Sequence, residues 1–529
     1  MLSYSAFKCI INTIKGRINM AIPEAVRKVE RPRNTIVVRR GNGPLMYAVV
    51  ERIGCRRIGD SNVPLNGYTV GHIIQGAFVP SSDAVSQRKT ELKDYADAVL
   101  IDLVSRELLE DLYAVYSAPD AMRIYAIALL RVCYPGVPCC RLDHYYETSW
   151  VSILFPGIPL GRNSVSTFLQ NLGKSYSLIV SFMRRRVDAI APGHHIAIDG
   201  TLKEDNSSVN SLSGFSRKAR VKGTMDITVV FAYDIDLREP VCSKVFGGNV
   251  LDCVSYQRFL TENGLTKGVV MADKGFPKKE AQQAFASSPG LHWLSPIKRN
   301  DKRIAAHGMY AFDGMLDDRN EDVLFKKEQV ADYWLYSFYD RKRAAKEEAD
   351  YFKHHKGKPF DAQDMQQKDE RFGTIVFESD LDTDPLVIYK MYDERWLIEE
   401  CFRYYKHVTD FDDTRVHSDV SVYGSEFINF ISSVMTARLI RKFDETGLFS
   451  DMTYNDIMSR LASAKKVNTN GDGQWEYVRT TRATEETLLR LGLLPKMEEP
   501  AKKKRGRPKK VVDPNAPKRK RGRPRKNPS

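Results

Sequence analysis

The spacing of apolar residues changes several times along the chain, and each change predicts a different kind of segment. Residues 1–90 contain β-branched runs and a GNGP turn at 41–44, which predicts a small β-rich module. From 91 to 190 the apolar positions recur at the 3.6-residue spacing of amphipathic helices, so we expect a helical region. Such a region could bind DNA, although helix bundles more often only pack.

Between residues 191 and 298 the pattern switches to short apolar strands interleaved with helices, which predicts a mixed α/β sheet. Two of these strands, in HHIAIDGT and KGVVMADKGF, end in an acid, Asp199 and Asp273. Residues 299–370 then carry dense charge of both signs with short strand-like pieces, so we expect an insertion subdomain of partly β character.

The remaining chain completes the predicted domain organisation. RFGTIVFESD resumes the strand pattern, so residues 371–445 are expected to form the second part of the same α/β core. Residues 446–500 read as a helical C-terminal region. Residues 501–529 are a low-complexity basic tail that cannot bury a core, and we expect it to be disordered when free.

The segment YDERWLIEECFRYYK, residues 392–406, has the pattern of an amphipathic helix. At about 100° per residue, one arc of roughly 80° collects a carboxylate, three cations and a phenol. These side chains are Tyr392, Arg395, Glu399, Arg403 and Lys406. Arg–Glu pairs at this spacing are also common helix decoration, so the segment alone does not separate a functional face from a solvated one.

Charge is distributed unevenly along the chain. Residues 502–529 hold 14 Lys and Arg against one acid, which accounts for nearly all of the net charge of +14. A near-neutral body with a basic appendage predicts a polyanionic partner held mainly by the tail. The sequence shows no apolar run of 18 residues, so we expect no membrane-spanning helix. Eight cysteines without CxxC pairs predict reduced thiols and a cytoplasmic location.

The tail contains an internal repeat, KKKRGRPKK at 502–510 and KRKRGRPRK at 518–526. An Arg-Gly-Arg stretch has no Cβ at its centre and can follow the floor of a narrow groove, and narrow A·T-rich minor grooves attract inserted arginine. The predicted contacts are Arg505, Gly506, Arg507, Pro508, Arg521, Gly522, Arg523 and Pro524. A generic polybasic or targeting run is the alternative interpretation.

Three acids from separate elements form the candidate chemistry. Asp199 and Asp273 end strands and Glu399 lies on the cationic helix, and two-metal phosphoryl transfer requires a few carboxylates around a cation pair. Hard oxygen ligands suit two ions of Mg²⁺ or Mn²⁺. Several other acids could compete for the role: Asp205, Asp226, Glu400 and Asp410. Trp293 and Trp334 could stack on an extruded base, although core positions suit both better.

The set IDGT, ADKGF and Y-x2-R-x3-E-x6-K resembles DDE transposases of insertion-sequence family four. Tyr392, Arg395, Glu399 and Lys406 match the helix signature without a gap. The segments GGNVLDCVSYQRFL and RVHSDVSVYGSEFINF are also similar to the family. The resemblance implies a ribonuclease-H-like core interrupted by a β-rich insertion, which agrees with the spacing of 126 positions from Asp273 to Glu399. The AT-hook-like tail departs from the usual family pattern.

The resemblance also implies a function. The chain is expected to bind the terminal inverted repeats of a mobile element, cut the 3′ bond and join the end to target DNA, with Asp199, Asp273 and Glu399 as metal ligands. It implies phosphate contacts for Tyr392, Arg395 and Lys406. A homodimer assembled on double-stranded DNA ends and a nucleoid-associated location follow from the same expectation. A non-catalytic DNA-organising relative and a nuclease without strand transfer remain as alternatives.

Overall fold

The computed structural model describes residues 22–40, 43, 45–58, 61–81, 90–205, 207–216, 223–248, 252–271, 285, 288–316, 323–357, 359–369, 371–469 and 473–494. The first of these ranges form a four-stranded antiparallel sheet in simple chain order, preceded by one helical turn. Its elements are α1 (Glu24–Arg27), β1 (Thr35–Arg39), β2 (Tyr47–Ile58), β3 (Ser61–Ile74) and β4 (Ala77–Pro80). The described residues between 35 and 80 thus lie mostly in strands.

A short strand and a group of helices follow. They are β5 (Glu91–Asp94), α2 (Ala96–Tyr113), α3 (Ala118–Cys133), α4 (Leu142–Thr148), α5 (Val151–Leu154), α6 (Arg162–Lys174) and α7 (Tyr176–Asp188). Helix α3 begins at Ser117, whose hydroxyl accepts the amide of Asp120 and so satisfies one of the open donors of the first turn. The described residues between 96 and 188 are therefore mostly helical.

The central sheet contains both parallel and antiparallel strands, as the sequence predicts. Its first elements are β6 (His195–Glu204), β7 (Gly214–Phe215), β8 (Met225–Asp234), β9 (Glu239–Gly247), α8 (Asp252–Asn263), β10 (Lys267–Met271) and β11 (Gly290–Pro296). Strand β6 lies in the middle: it pairs antiparallel with β8 on one side and parallel with β10 on the other. β9 continues the sheet beyond β8, and β11 continues it beyond β10.

Residues 299–370, predicted as an insertion, contribute strands that extend this same sheet. The elements from this point are α9 (Lys302–Ala306), β12 (Gly314–Met315), β13 (Val323–Val330), β14 (Tyr333–Asp340), α10 (Arg341–His354), α11 (Ala362–Asp369) and β15 (Thr374–Ser379). β15 pairs with β11 and with β14, so the strands β12 to β14 are joined to the core through β15.

The C-terminal part of the chain is mostly helical and packs against the N-terminal helices. Its elements are α12 (Pro385–Asp393), α13 (Trp396–Arg403), α14 (Asp419–Glu445), α15 (Tyr454–Ser463), β16 (Lys465–Asn468), β17 (Glu476–Tyr477) and α16 (Arg482–Arg490). The region predicted as helical at 446–500 thus also contains two short strands, because the open edge of β5 pairs with β16.

Helix α14 connects the sheet to the N-terminal helices. It is buried along most of its 27 residues and packs against α2, α3, α6 and β9. At its crossing with α6, a Cβ on Gly424 would lie 2.1 Å from the carbonyl oxygen of Leu169, so only glycine permits this close approach of the two backbones. Among the described residues, no helix is long and apolar enough to cross a membrane.

Candidate active site

Asp199 lies in the middle of β6, the central strand. Side chains alternate between the faces of a strand, so Asp199, Thr201 and Lys203 share one face of the sheet. Phe231 of β8 is paired directly opposite Asp199 and therefore lies on the same face. Asp199 is half-buried, and its Oδ1 accepts the amide of Gly200 at 2.8 Å.

Glu399 is carried by α13, which packs on that face. Phe402, three residues after Glu399, stacks on Phe231 with 5.5 Å between ring centroids, and Tyr405 contacts the same ring edge-on at 5.5 Å. Because Phe231 is the cross-strand neighbour of Asp199, this aromatic contact brings the helix of Glu399 next to the strand of Asp199. Two of the three predicted acids therefore belong to elements in direct contact.

The segment 392–406 is not the single helix predicted. α12 ends at Asp393, a turn occupies 394–395, α13 covers Trp396–Arg403, and residues Tyr404–Val408 form a π-helical turn. The 100° arc assumes unbroken α-helix, and a π turn changes the angle between successive side chains. The predicted common arc therefore holds within α13 but fails at both ends, for Tyr392 and for Lys406.

Within α13, the predicted charged face is present. Arg395 donates to Oε1 of Glu399 at 3.0 Å, and 61% of the Glu399 side chain remains exposed. Arg403 is exposed and donates to Glu400 at 2.6 Å. The carboxylate of Glu399 is thus oriented by a neighbouring cation and still accessible to a ligand.

The two outer residues of the motif have distinct environments. Tyr392 on α12 packs on Phe377 of β15, with ring centroids 4.6 Å apart. Lys406 lies on the π turn, and its positive charge lowers the pKa of Asp226, a buried acid of β8. Burial raises the pKa of Asp226 above its ordinary value, Glu204 raises it further, and Lys406 opposes the shift.

Asp273 and the whole basic tail lie outside the described residues. The last residue of β10, Met271, pairs in parallel with Ala197 of β6. Met271 is two residues before Asp273 in the chain, as Ala197 is two residues before Asp199. The strands that lead to the two predicted aspartates are therefore hydrogen-bonded neighbours in matching register.

Most of the competing acids have structural partners. Asp205 is buried and caps a loop by accepting the amide of Ser207 at 3.1 Å and the side-chain amide of Asn210. Asp410 is bonded to Arg415 at 2.6 Å. Glu400 is engaged by its neighbour on the helix, as described above. The remaining competitor, Asp226, points to the other face of the sheet from Asp199, because it pairs with Glu204.

The oxygen donors present fit the divalent cations predicted from the sequence. Asp199 and Glu399 offer carboxylates of the hard type that Mg²⁺ and Mn²⁺ prefer, one half-buried and one exposed. A different group, His194, Asp234 and Asp236, has ligand atoms within 4.8 Å of one another at the beginning of β6. That group lies at the other end of the strand from Lys203 and includes neither predicted acid.

Among the tryptophans, Trp293 and Trp334 are partly buried against the hydrophobic core, the position that suited both better on sequence grounds. Sequence reasoning missed Trp396, the first residue of α13, which is 52% exposed and follows Arg395 directly. The available signal was an aromatic residue directly between the charged positions of the motif. Its exposure makes Trp396 the described tryptophan best placed to meet a ligand at this face.

Comparison with known proteins gives one strong match. Residues 192–435, from just before β6 to within α14, match the family described as "Transposase DDE domain", which supports a DDE transposase domain in this part of the chain. No curated protein matches the sequence. A solved structure described as a piggyBac transposase synaptic complex with hairpin DNA aligns at 10% identity and a TM-score of 0.37, over 69% of this chain and 79% of that chain.

Proposed function

We propose that the protein is a DDE transposase of the insertion-sequence-four type. It would bind the terminal inverted repeats of its own element, cleave the DNA at the element's ends and transfer the freed 3′ ends to target DNA. The observation that carries the proposal is the contact between Phe231 and Phe402, which joins the strand of Asp199 to the helix of Glu399 within the region that matches the transposase domain.

The catalytic acids in this proposal are Asp199, Asp273 and Glu399 on a ribonuclease-H-like core. They would hold two Mg²⁺ or Mn²⁺ ions through carboxylate oxygens. When bound, such ions supply activation of the attacking oxygen and stabilisation of the leaving oxygen in an in-line displacement. The bond between Arg395 and Glu399 supports this role, because a carboxylate whose rotamer is held ready loses less entropy when it binds a ligand.

The surrounding cations would position the DNA. Arg395, Arg403 and Lys406, with the hydroxyl of Tyr392, supply charge and hydrogen bonds suited to backbone phosphates, which fix register and carry no sequence information. The exposed ring of Trp396 offers a surface on which a base near the cut could stack. Two subunits, one on each end, would assemble as a homodimer on DNA.

The basic tail would supply general affinity for duplex DNA. Its two RGRP cores, Arg505–Pro508 and Arg521–Pro524, suit the minor groove of A·T-rich DNA in the manner of AT-hooks. In this proposal the tail supplies the affinity for DNA and the rest of the chain supplies the chemistry. This division accounts for a sequence in which nearly all the net charge lies in the last 28 residues and the remainder is close to neutral.

The test is an assay of the full chain on DNA that carries the inverted repeats flanking its gene. With Mg²⁺ we expect 3′ cleavage at the repeat ends, followed by joining of those ends to a supercoiled plasmid, and neither reaction in EDTA. Cleavage without joining would favour a nuclease. Binding without either reaction, in Mg²⁺ and in Mn²⁺, would favour a DNA-organising protein and contradict the proposal.

A further inference from the structure

Five polar side chains form a connected network deep in the protein, away from the exposed acids. They come from α3, β6, the π turn and α14, and each is at most 5% exposed. The five are Arg131, Lys203, Tyr405, Glu426 and Asn429. Buried polar groups are costly without partners, so a network of this size fixes the relative position of the elements that contribute to it.

The carboxylate of Glu426 is the centre of the network. Its Oε1 accepts Nζ of Lys203 at 2.6 Å and Nδ2 of Asn429 at 3.0 Å, and its Oε2 accepts the hydroxyl of Tyr405. Arg131 donates to the side-chain oxygen of Asn429 at 2.6 Å, which extends the network to the N-terminal helices. One buried carboxylate on α14 therefore holds groups from β6 and the π turn directly, and α3 is joined to it through Asn429.

Two of these groups lead directly to the proposed site. Lys203 is four residues after Asp199 on the same face of β6. Tyr405 immediately precedes Lys406 on the π turn, and its own carbonyl accepts the amide of Phe411 at 3.1 Å, which closes the loop after the turn. The inward direction of Tyr405 fixes the backbone from which Lys406 projects.

We infer that Glu426 is a positioning residue: anchored to β6 by Lys203, it holds Tyr405 and so sets the position of Lys406 relative to the strand of Asp199. The inference deepens the proposed function and rests on it, since Lys406 is taken as a phosphate contact. The positive charge of Lys406 does not by itself require the contacts among Tyr405, Lys203 and Glu426. Residues 404–408 form a π turn in place of regular α-helix. The hydroxyl of Tyr405 donates to Glu426 and so connects this turn to α14.

The chain offers a matched control in a second buried carboxylate that bonds a side chain of α14. Glu239 of β9 accepts Arg186 of α7 at 2.9 Å and Arg438 of α14 at 3.0 Å, and the side chains of all three are less than 10% exposed. This second network joins α14 to the sheet without touching α13 or the π turn. Glu239→Gln should therefore weaken the fold as Glu426→Gln does, without altering the position of Lys406.

The first experiment measures the single-turnover rate of end cleavage at saturating DNA by the full chain. We expect Tyr405→Phe, which removes only a hydroxyl, to slow cleavage by roughly tenfold and Glu426→Gln by more, as small misplacements near a reacting centre do. Glu239→Gln should leave the rate per folded molecule within about twofold. The DNA dissociation constants should be unchanged in all three variants.

A double-mutant cycle separates positioning from general weakening. If Tyr405 acts through Lys406, then adding Tyr405→Phe to Lys406→Ala should cost less than about twofold beyond Lys406→Ala alone, because the group being positioned is already absent. Glu239→Gln should be additive with Lys406→Ala. Additive losses for Tyr405→Phe would overturn the inference.

A measurement that needs no activity keeps the inference testable if the wild-type protein does not cut DNA, which would count against the proposed function alone. Amide hydrogen exchange should accelerate across residues 404–411 in Tyr405→Phe and Glu426→Gln and remain unchanged there in Glu239→Gln. Equal exchange of this turn in all variants would overturn the inference whatever the protein catalyses.

Discussion

Carboxylates lie both at the beginning and in the middle of β6, but their surroundings differ. At the start of the strand, Asp234 accepts Nδ1 of His194 at 2.7 Å and the amide of Leu237 at 2.9 Å, and Asp236 accepts the amide of His195 at 2.7 Å. Further along, Asp199 lies beside a helix whose Glu399 is largely exposed and touched by one cation. The carboxylates of the first group are hydrogen-bonded to nearby groups of the chain, whereas the carboxylate of Glu399 is largely exposed.

This difference explains why acid content alone is a poor guide to chemistry. A carboxylate that caps local backbone amides or pairs with a histidine is already satisfied and stabilises the chain reversal in which it lies. A carboxylate that is oriented yet exposed retains its capacity for an external ligand. The packing of Phe402 on Phe231 creates the second situation, because it brings an exposed helix face over a strand of the core.

The largest effect expected from this contrast is on catalysis. Asp199→Ala or Glu399→Ala should lower end cleavage by roughly a thousandfold, because the bound cations supply several kcal/mol to the transition state. DNA binding should be retained. His194→Ala, from the other end of the strand, is the control and should cut at nearly the wild-type rate. Loss of cleavage in the control alone would indicate that the group of His194, Asp234 and Asp236 is the catalytic site.

A second test asks whether general DNA affinity is separate from the acidic face. Truncation after residue 500 removes 14 basic residues and none of the proposed catalytic ones. The dependence of log affinity on log salt falls by about 0.9 per lost phosphate contact, so the truncated protein should bind random duplex roughly a hundredfold more weakly near physiological salt. The loss should be greatest on A·T-rich duplex, and end cleavage at low salt should survive. A folded but inert truncated chain would contradict this separation.

A smaller effect is expected from the cations around Glu399. Arg395→Ala or Lys406→Ala should slow end cleavage by roughly tenfold, since each removes a contact that aligns the backbone near the cut. Lys346→Ala on α10 is a matched exposed control and should change the rate little. Equal losses in the variants and the control would indicate that the charged face of α13 is an ordinary solvent-exposed surface with no specific role in cleavage.

The last effect concerns stability and not catalysis, at a carboxylate that is fully buried. Asp97 in α2 is fully buried, and burial raises its pKa to about 6. The folded state therefore binds this proton more tightly than the unfolded state, and stability should fall as pH rises from about 4 to about 6. Asp97→Asn should remove that slope and raise the free energy of unfolding at pH 7 by roughly 2–3 kcal/mol. Urea unfolding of both proteins at pH 4.5 and pH 7 measures the difference, and parallel pH profiles would refute it.

The sequence predicted the core strands well because each is a short β-branched run bounded by turn residues, as in HIAID and ITVVFAYD. It predicted the exposed face of α13 because that helix is regular over its eight residues. The break at 394–395 and the π turn were not predictable from spacing. The π turn coincides with a long-range contact, the burial of Tyr405 against Glu426, that the local pattern does not show.

Long-range pairs set the limit of sequence reasoning. Lys203 and Glu426 are 223 residues apart, and nothing in the local pattern of either residue indicates the other. Similarly, the predicted insertion at 299–370 reads as a separate charged segment, because pairing of β15 with both β11 and β14 is a property of the folded sheet. The pairing of β16 with the distant β5 escaped prediction for the same reason.

The most direct test of the metal-dependent site is a change of ligand chemistry at the proposed acids. Asp199→Cys and Glu399→Cys replace a hard oxygen ligand with a softer sulfur, which Mn²⁺ accepts more readily than Mg²⁺ does. We predict that both variants fail to cut inverted-repeat ends in Mg²⁺ and recover cleavage in Mn²⁺, whereas the corresponding Ala variants stay inactive in both ions. Equal cleavage by the Cys variants in the two ions, or no recovery of either variant in Mn²⁺, would contradict direct metal ligation by Asp199 and Glu399.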